Sequence, residues 1–194
     1  MKIANIRKMT ATALLMALVI VLQLVGGMIP PVSGFSISLV LIPVIMGSAL
    51  YGPKTGMLLG GVFGAVVVVN CITGVDGGGA MVFQANPVLC ILVVMAKGIL
   101  AGLASGLVYR LLHNTNTYIA MLAAAIICPV VNTGVFVLCM LTFFQDVLTV
   151  WADGGEIMAY VLSGLVLCNF VPELLINVVF SPAGQTILRV FHKK

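Results

Sequence analysis

Charge is what this chain has least of. Asp, Glu, Lys and Arg together make up 7% of its 194 residues, against 62% apolar ones. Mean hydropathy is +1.26. A soluble domain carries about 25% charged residues on its surface, so a water-facing exterior is excluded and the chain reads as an integral membrane protein. Histidine is nearly absent: only His113 and His192 occur, both at the ends of apolar runs. The chain has no H-E-x-x-H helix, no G-x-x-x-x-G-K-[ST] phosphate loop and no G-x-S-x-G elbow. Metallohydrolase, ATPase and serine hydrolase chemistry therefore have no sequence support, and we expect neither a catalytic site, a metal site nor a cofactor in this chain. The cysteines, Cys71, Cys90, Cys128, Cys139 and Cys168, show no C-x-x-C spacing and read as small apolar packing residues.

The chain is instead rich in long apolar runs. A span needs about 20 apolar residues, and backbone groups in lipid must be satisfied within the segment, so these runs predict helices. No ten-residue alternation of the barrel type appears. Six spans are expected, at about 9–29, 36–52, 55–73, 87–112, 117–144 and 157–181, forming one all-α transmembrane bundle that covers residues 1–194 as a single domain. The intervening stretches GMIPPVSG, YGPKTG, TGVDGGGA, RLLHNTNT and DVLTVWADGGE carry the Gly, Pro, Asn and Asp that turns prefer. The basic start MKIANIRK resembles a signal peptide, but the following run is long and no small-x-small cleavage site closes it.

Lys2, Arg7, Lys8, Lys54, Arg110, Arg189, Lys193 and Lys194 fall on the two tails and the second and fourth loops. Asp76, Asp146, Asp153 and Glu156 fall in the third and fifth. The positive-inside bias then predicts a plasma-membrane, multi-pass protein with both termini cytoplasmic. It also absorbs the net charge of +4 without a nucleic-acid partner.

Small residues mark where helices meet. Gly56, Gly60 and Gly64 recur every four positions, as do Gly98, Gly102 and Gly106, giving each helix a flat stripe suited to internal packing or to a docking partner. Ala13 and Ala17 form a lesser stripe of the same kind.

Polar residues within spans point to function. Lys97 lies about 15 Å from the start of its span, too deep to snorkel easily, so it should face the bundle interior or a hydrated cavity. Asn132 and Asn169 reach a similar depth. Asn169, Glu173 and Asn177 are spaced four apart, which places them on one inward helix face beside Pro172. Two accounts compete: a structural Lys97–Glu173 ion pair, and a ligand site formed by Lys97, Asn132, Asn169 and Glu173. Higher up, Asn70, Gln84 and Asn86 would complete an outward pocket under two flexible loops. Trp151 and Tyr160 are available there to stack on a ligand ring or to anchor in the interface.

The segments KMTATALLMALVIVLQL, LVLIPVIMGSALYGPKTGMLLGGVFGAV, NPVLCILVVMAKGILAGLASGLVYRLL and AAIICPVVNTGVF resemble a substrate-binding S component of an energy-coupling factor (ECF) transporter. The resemblance implies a six-helix subunit that captures a water-soluble vitamin or precursor from outside. It further implies association with a transmembrane coupling subunit and two cytoplasmic ATPases, so that ATP is hydrolysed by partners. The family's alanine-x-x-x-alanine docking motif matches Ala13 and Ala17. The stretch from IPVIMG through NCITG to NPVLCILVV is most similar to pantothenate-type S components, and the acidic second-helix pattern of riboflavin binders is absent from SLVLIPVIMG. A stand-alone ion-coupled carrier or channel is the alternative, with an intramembrane enzyme or assembly factor as a third reading.

Overall fold

The computed structural model describes residues 2–28 and 39–192. Every regular element among them is helical. Helices α1 (Lys2–Met28), α3 (Pro53–Thr73), α5 (Pro87–Leu112) and α6 (Thr117–Phe143) contain apolar stretches long enough to cross a bilayer, and so does the last helical run, Ile157–Leu188. Helix α2 (Leu41–Tyr51) is shorter. Its 11 residues rise about 16 Å, roughly half the hydrocarbon thickness. The expected second span, 36–52, thus corresponds to a short apolar helix; positions 36–38, most of GMIPPVSG and the side chains of the tail charges Lys2, Arg189, Lys193 and Lys194 lie outside the described residues. The architecture is an all-α membrane bundle.

Helix ends follow from local chemistry. Gly52, at φ 91°, ends α2 while its N–H donates to the Ser48 carbonyl at 2.9 Å, and Pro53 opens α3. Proline fits there because the first helical N–H has no intrahelical acceptor. The Asn86 side chain accepts from the Leu89 N–H at 3.1 Å ahead of Pro87, and Asn116 accepts from Tyr118 at 2.8 Å, starting α5 and α6.

Two connections read as flexible loops from sequence contain helices. Helix α4 (Gly77–Ala85) begins with three glycines, yet Asp76 caps it by accepting from the Gly79 N–H at 3.2 Å. Glycine is needed at 79 because a Cβ would strike Cys71 Sγ on α3. Helix α7 (Gln145–Trp151) follows α6 after a single residue.

The bundle's closest seam joins α3 to α5. A Cβ on Gly60 would run into the Gly98 carbonyl, one on Gly98 into Gly60, and those on Gly56 and Gly102 into each other's backbone. The two glycine stripes therefore pack on one another in antiparallel register, which settles packing over partner docking for both. The last helical run is built differently. A four-residue α8 (Ile157–Tyr160) leads into a π-helical segment, Val161–Phe170, and then α9 (Val171–His192).

Candidate functional site

A cavity opens between α3, α5, α6 and the π-helical segment, with α4 over it. The volume in it that water can occupy is about 50 Å³. Lys97 of α5, Asn132 of α6 and Asn169 at the end of the π-helical segment all line it, so three of the sequence-predicted residues meet there. The described contacts of Lys97 are aromatic. Its Nζ lies 4.8 Å from the centre of the Phe136 ring and 5.8 Å from that of Phe63. The ring quadrupoles attract the cation without neutralising it, so the ammonium keeps its charge available to a guest.

Asn132 is 4% exposed, and both its Oδ1 and that of Asn169 lack a hydrogen-bond partner within the protein. Buried amide oxygens are seldom left so. One ammonium and two unpaired amides around one space are what a polar guest with both acceptors and donors requires.

The remaining predicted residues sit elsewhere. Asn70 is buried near the end of α3, where its backbone carbonyl accepts from the Asp76 N–H at 3.3 Å and orders the turn into α4. Gln84 is exposed on α4, and Asn86 is occupied as the α5 cap. Glu173 is 1% exposed and lies outside the cavity lining, one turn beyond Asn169. No ion pair joins it to Lys97, whose described contacts are the two aromatic rings.

Sequence reasoning missed Gln23, Asp76 and Thr133, which line the cavity with Phe63 and Phe136. Gln23 had a signal, as an amide in the first apolar span. The two phenylalanines had none, because an aromatic ring in an apolar helix looks the same whether it faces lipid or a cavity.

The cover is held from above. Trp151 at the end of α7 donates its Nε1–H to Met81 Sδ of α4 at 3.1 Å, and its ring lies 6.2 Å from that of Tyr160. Trp151 therefore ties α7 to α4, the helix over the cavity. On the opposite surface Ala13 and Ala17 are exposed on α1, and Ala13 lines an open groove with Met9, Thr12, Met16 and Leu58.

A family model described as "ECF transporter, substrate-specific component" matches residues 7–183. The chain belongs to that family. No curated protein and no solved structure gives a significant match to it. Family membership makes this S component a membrane-embedded substrate-binding subunit of an ECF transporter, not an enzyme, and implies association with the coupling and ATPase subunits. The helical lengths make it a multi-pass membrane protein.

Proposed function

We propose that this S component binds a small, carboxylate-bearing, water-soluble vitamin or vitamin precursor, with pantothenate as the best candidate. The observation that carries the reading is the Lys97 ammonium, presented to a largely apolar cavity between two aromatic faces and about 15 Å along α5. A formal negative charge gains most from such a partner. Asn132 and Asn169 would pair with the hydroxyl and amide groups of the same guest through their unpartnered oxygens.

In this reading the covered mouth faces outward and both termini are cytoplasmic. The acidic residues Asp76, Asp146, Asp153 and Glu156 cluster around α4, α7 and α8, while Lys54 and Arg110 lie at the other ends of α3 and α5. Ala13 and Ala17 supply the flat exposed stripe for the coupling subunit, whose ATPase partners hydrolyse ATP; no cofactor is assigned to this chain.

The test is extraction and mass-spectrometric identification of the small molecule that copurifies with the detergent-solubilised subunit, followed by equilibrium binding of pantothenate. A stoichiometric carboxylate is expected. A neutral or cationic guest, or pantothenate binding unaltered in Lys97→Ala, would refute the assignment.

A further inference from the structure

Directly beyond the cavity, α9 carries a second polar row: Glu173, Asn177, Ser181 and Gln185, each four residues from the next and each at most 5% exposed. Such a row would be costly against lipid, and it packs inward, where α9 meets α6 and α2. Asn177 donates its Nδ2–H to the Glu173 carbonyl at 2.7 Å, which leaves Asn177 Oδ1 without a partner. Glu173 Oε1 is likewise unpartnered. From α6 the buried Cys128 lies within electrostatic reach of Glu173.

The backbone is interrupted in the same neighbourhood. Pro129 stands inside α6 next to Cys128, and Pro172 follows the π-helical segment one residue before Glu173. Each proline removes an N–H from its helix and leaves a carbonyl short of a donor. Buried acceptors, a carboxylate and loosened backbone without matching donors are the surroundings a small cation takes in membrane helices. The titratable and charged groups acting on Glu173 are Lys97 from α5 and Cys128 from α6. Lys97 acts on it without forming an ion pair, and a carboxylate without direct pairing costs several kcal/mol in such a place.

We infer that Glu173 and Asn177 form a monovalent-cation site, distinct from the substrate cavity, in which a proton or a sodium ion on the Glu173 carboxyl neutralises it and holds α9 to α6. The site is independent of which solute fills the cavity.

The deciding measurement is the infrared carboxyl absorption of the intact subunit in detergent, as wild type minus Glu173→Gln, at neutral pH in NaCl and in choline chloride of equal ionic strength. A protonated-acid band in choline identifies the proton. An ionised band that shifts on adding Na+ identifies sodium. An ionised carboxylate indifferent to Na+ overturns the proposal.

Thermal unfolding gives the second readout. In the sodium case, raising Na+ tenfold above half-saturation lifts the wild-type midpoint by about 3–5 °C, and Glu173→Gln abolishes the response. A sodium response that persists in that variant removes Glu173 from the site. If Glu173→Gln does not fold, Glu173→Asp keeps the carboxyl, moves its band and so identifies the signal in the same titration.

Discussion

The α3–α5 seam and the seam between α6 and the last helical run, Ile157–Leu188, are built on opposite principles; α3, α5, α6 and the π-helical part of that run line the cavity. The first brings backbones together through Gly56, Gly60, Gly98 and Gly102, with no room for a single added carbon. The second is interrupted by Pro129 and a π-helical segment, and it buries side-chain carboxyl and amide oxygens without partners. Close packing in lipid gains dispersion contacts wherever atoms touch, so the glycine seam is a rigid frame that fixes Lys97. Wide or broken helical turns cluster at functional sites. The side presenting Asn132 and Asn169 is the one able to adjust to a guest.

The sharpest way to break this contrast is to put a side chain into the glycine seam and, as a control, at a helical glycine with open space beside it. Gly60→Val places carbon atoms against the Gly98 carbonyl. Relief would need the two helices to separate, so we expect destabilisation of about 3 kcal/mol or more, the upper part of the overpacking range, seen as loss of monodisperse protein on size exclusion. In α6, a Cβ on Gly134 meets nothing within 4 Å. Gly134→Ala should therefore leave the midpoint of thermal unfolding unchanged or raise it through helix propensity, by up to about 1 kcal/mol. Equal damage from both would mean that the close approach of α3 and α5 is not what the substitution at Gly60 disturbs.

A change on α1 should touch neither half. Ala17→Leu enlarges an exposed position outside the bundle core, so ligand affinity should stay within about twofold, well under 1 kcal/mol, while copurification with the coupling subunit is lost. Loss of ligand binding as well would indicate misfolding.

The frame's cargo is next in size. Lys97→Ala should lower ligand affinity by about 1.5–3 kcal/mol, the range for a charge-assisted hydrogen bond, with the unfolding midpoint nearly preserved because Phe63 and Phe136 still pack. Isothermal calorimetry on the variant separates the two effects. A collapse in stability at full affinity would make the lysine structural.

The frame was far more legible in the sequence than the adaptable side. Gly-x-x-x-Gly spacing declares close approach on its own, and Lys97 declares an interior because hydrocarbon leaves it no alternative. The four-residue spacing of Asn169, Glu173 and Asn177 was equally visible but too coarse. It places them on one face, yet the cavity ends at Asn169 and the next turn is already sealed. Depth along a helix is set by neighbouring helices, which spacing does not report. Helix α4 was hidden for a different reason: three glycines argue against a helix, and only the Asp76 cap and the fit against Cys71 show why one forms. Within the expected second span, 36–52, helix α2 covers Leu41–Tyr51 and Leu39 and Val40 lie in a turn, while 36–38 fall outside the described residues.

The smallest effect concerns the cover over both seams. Trp151→Phe keeps an aromatic ring beside Tyr160 but deletes the Nε1–H donated to Met81 Sδ. A bond to a thioether is weak, so about 0.5–1 kcal/mol is at stake. That loss should fall on release rather than capture, because interface changes act mostly on dissociation. A chase experiment with labelled ligand should show dissociation about two- to fivefold faster with association little changed. A slowed association instead would mean that the α4–α7 clasp must open for entry, making the cover a gate that limits capture.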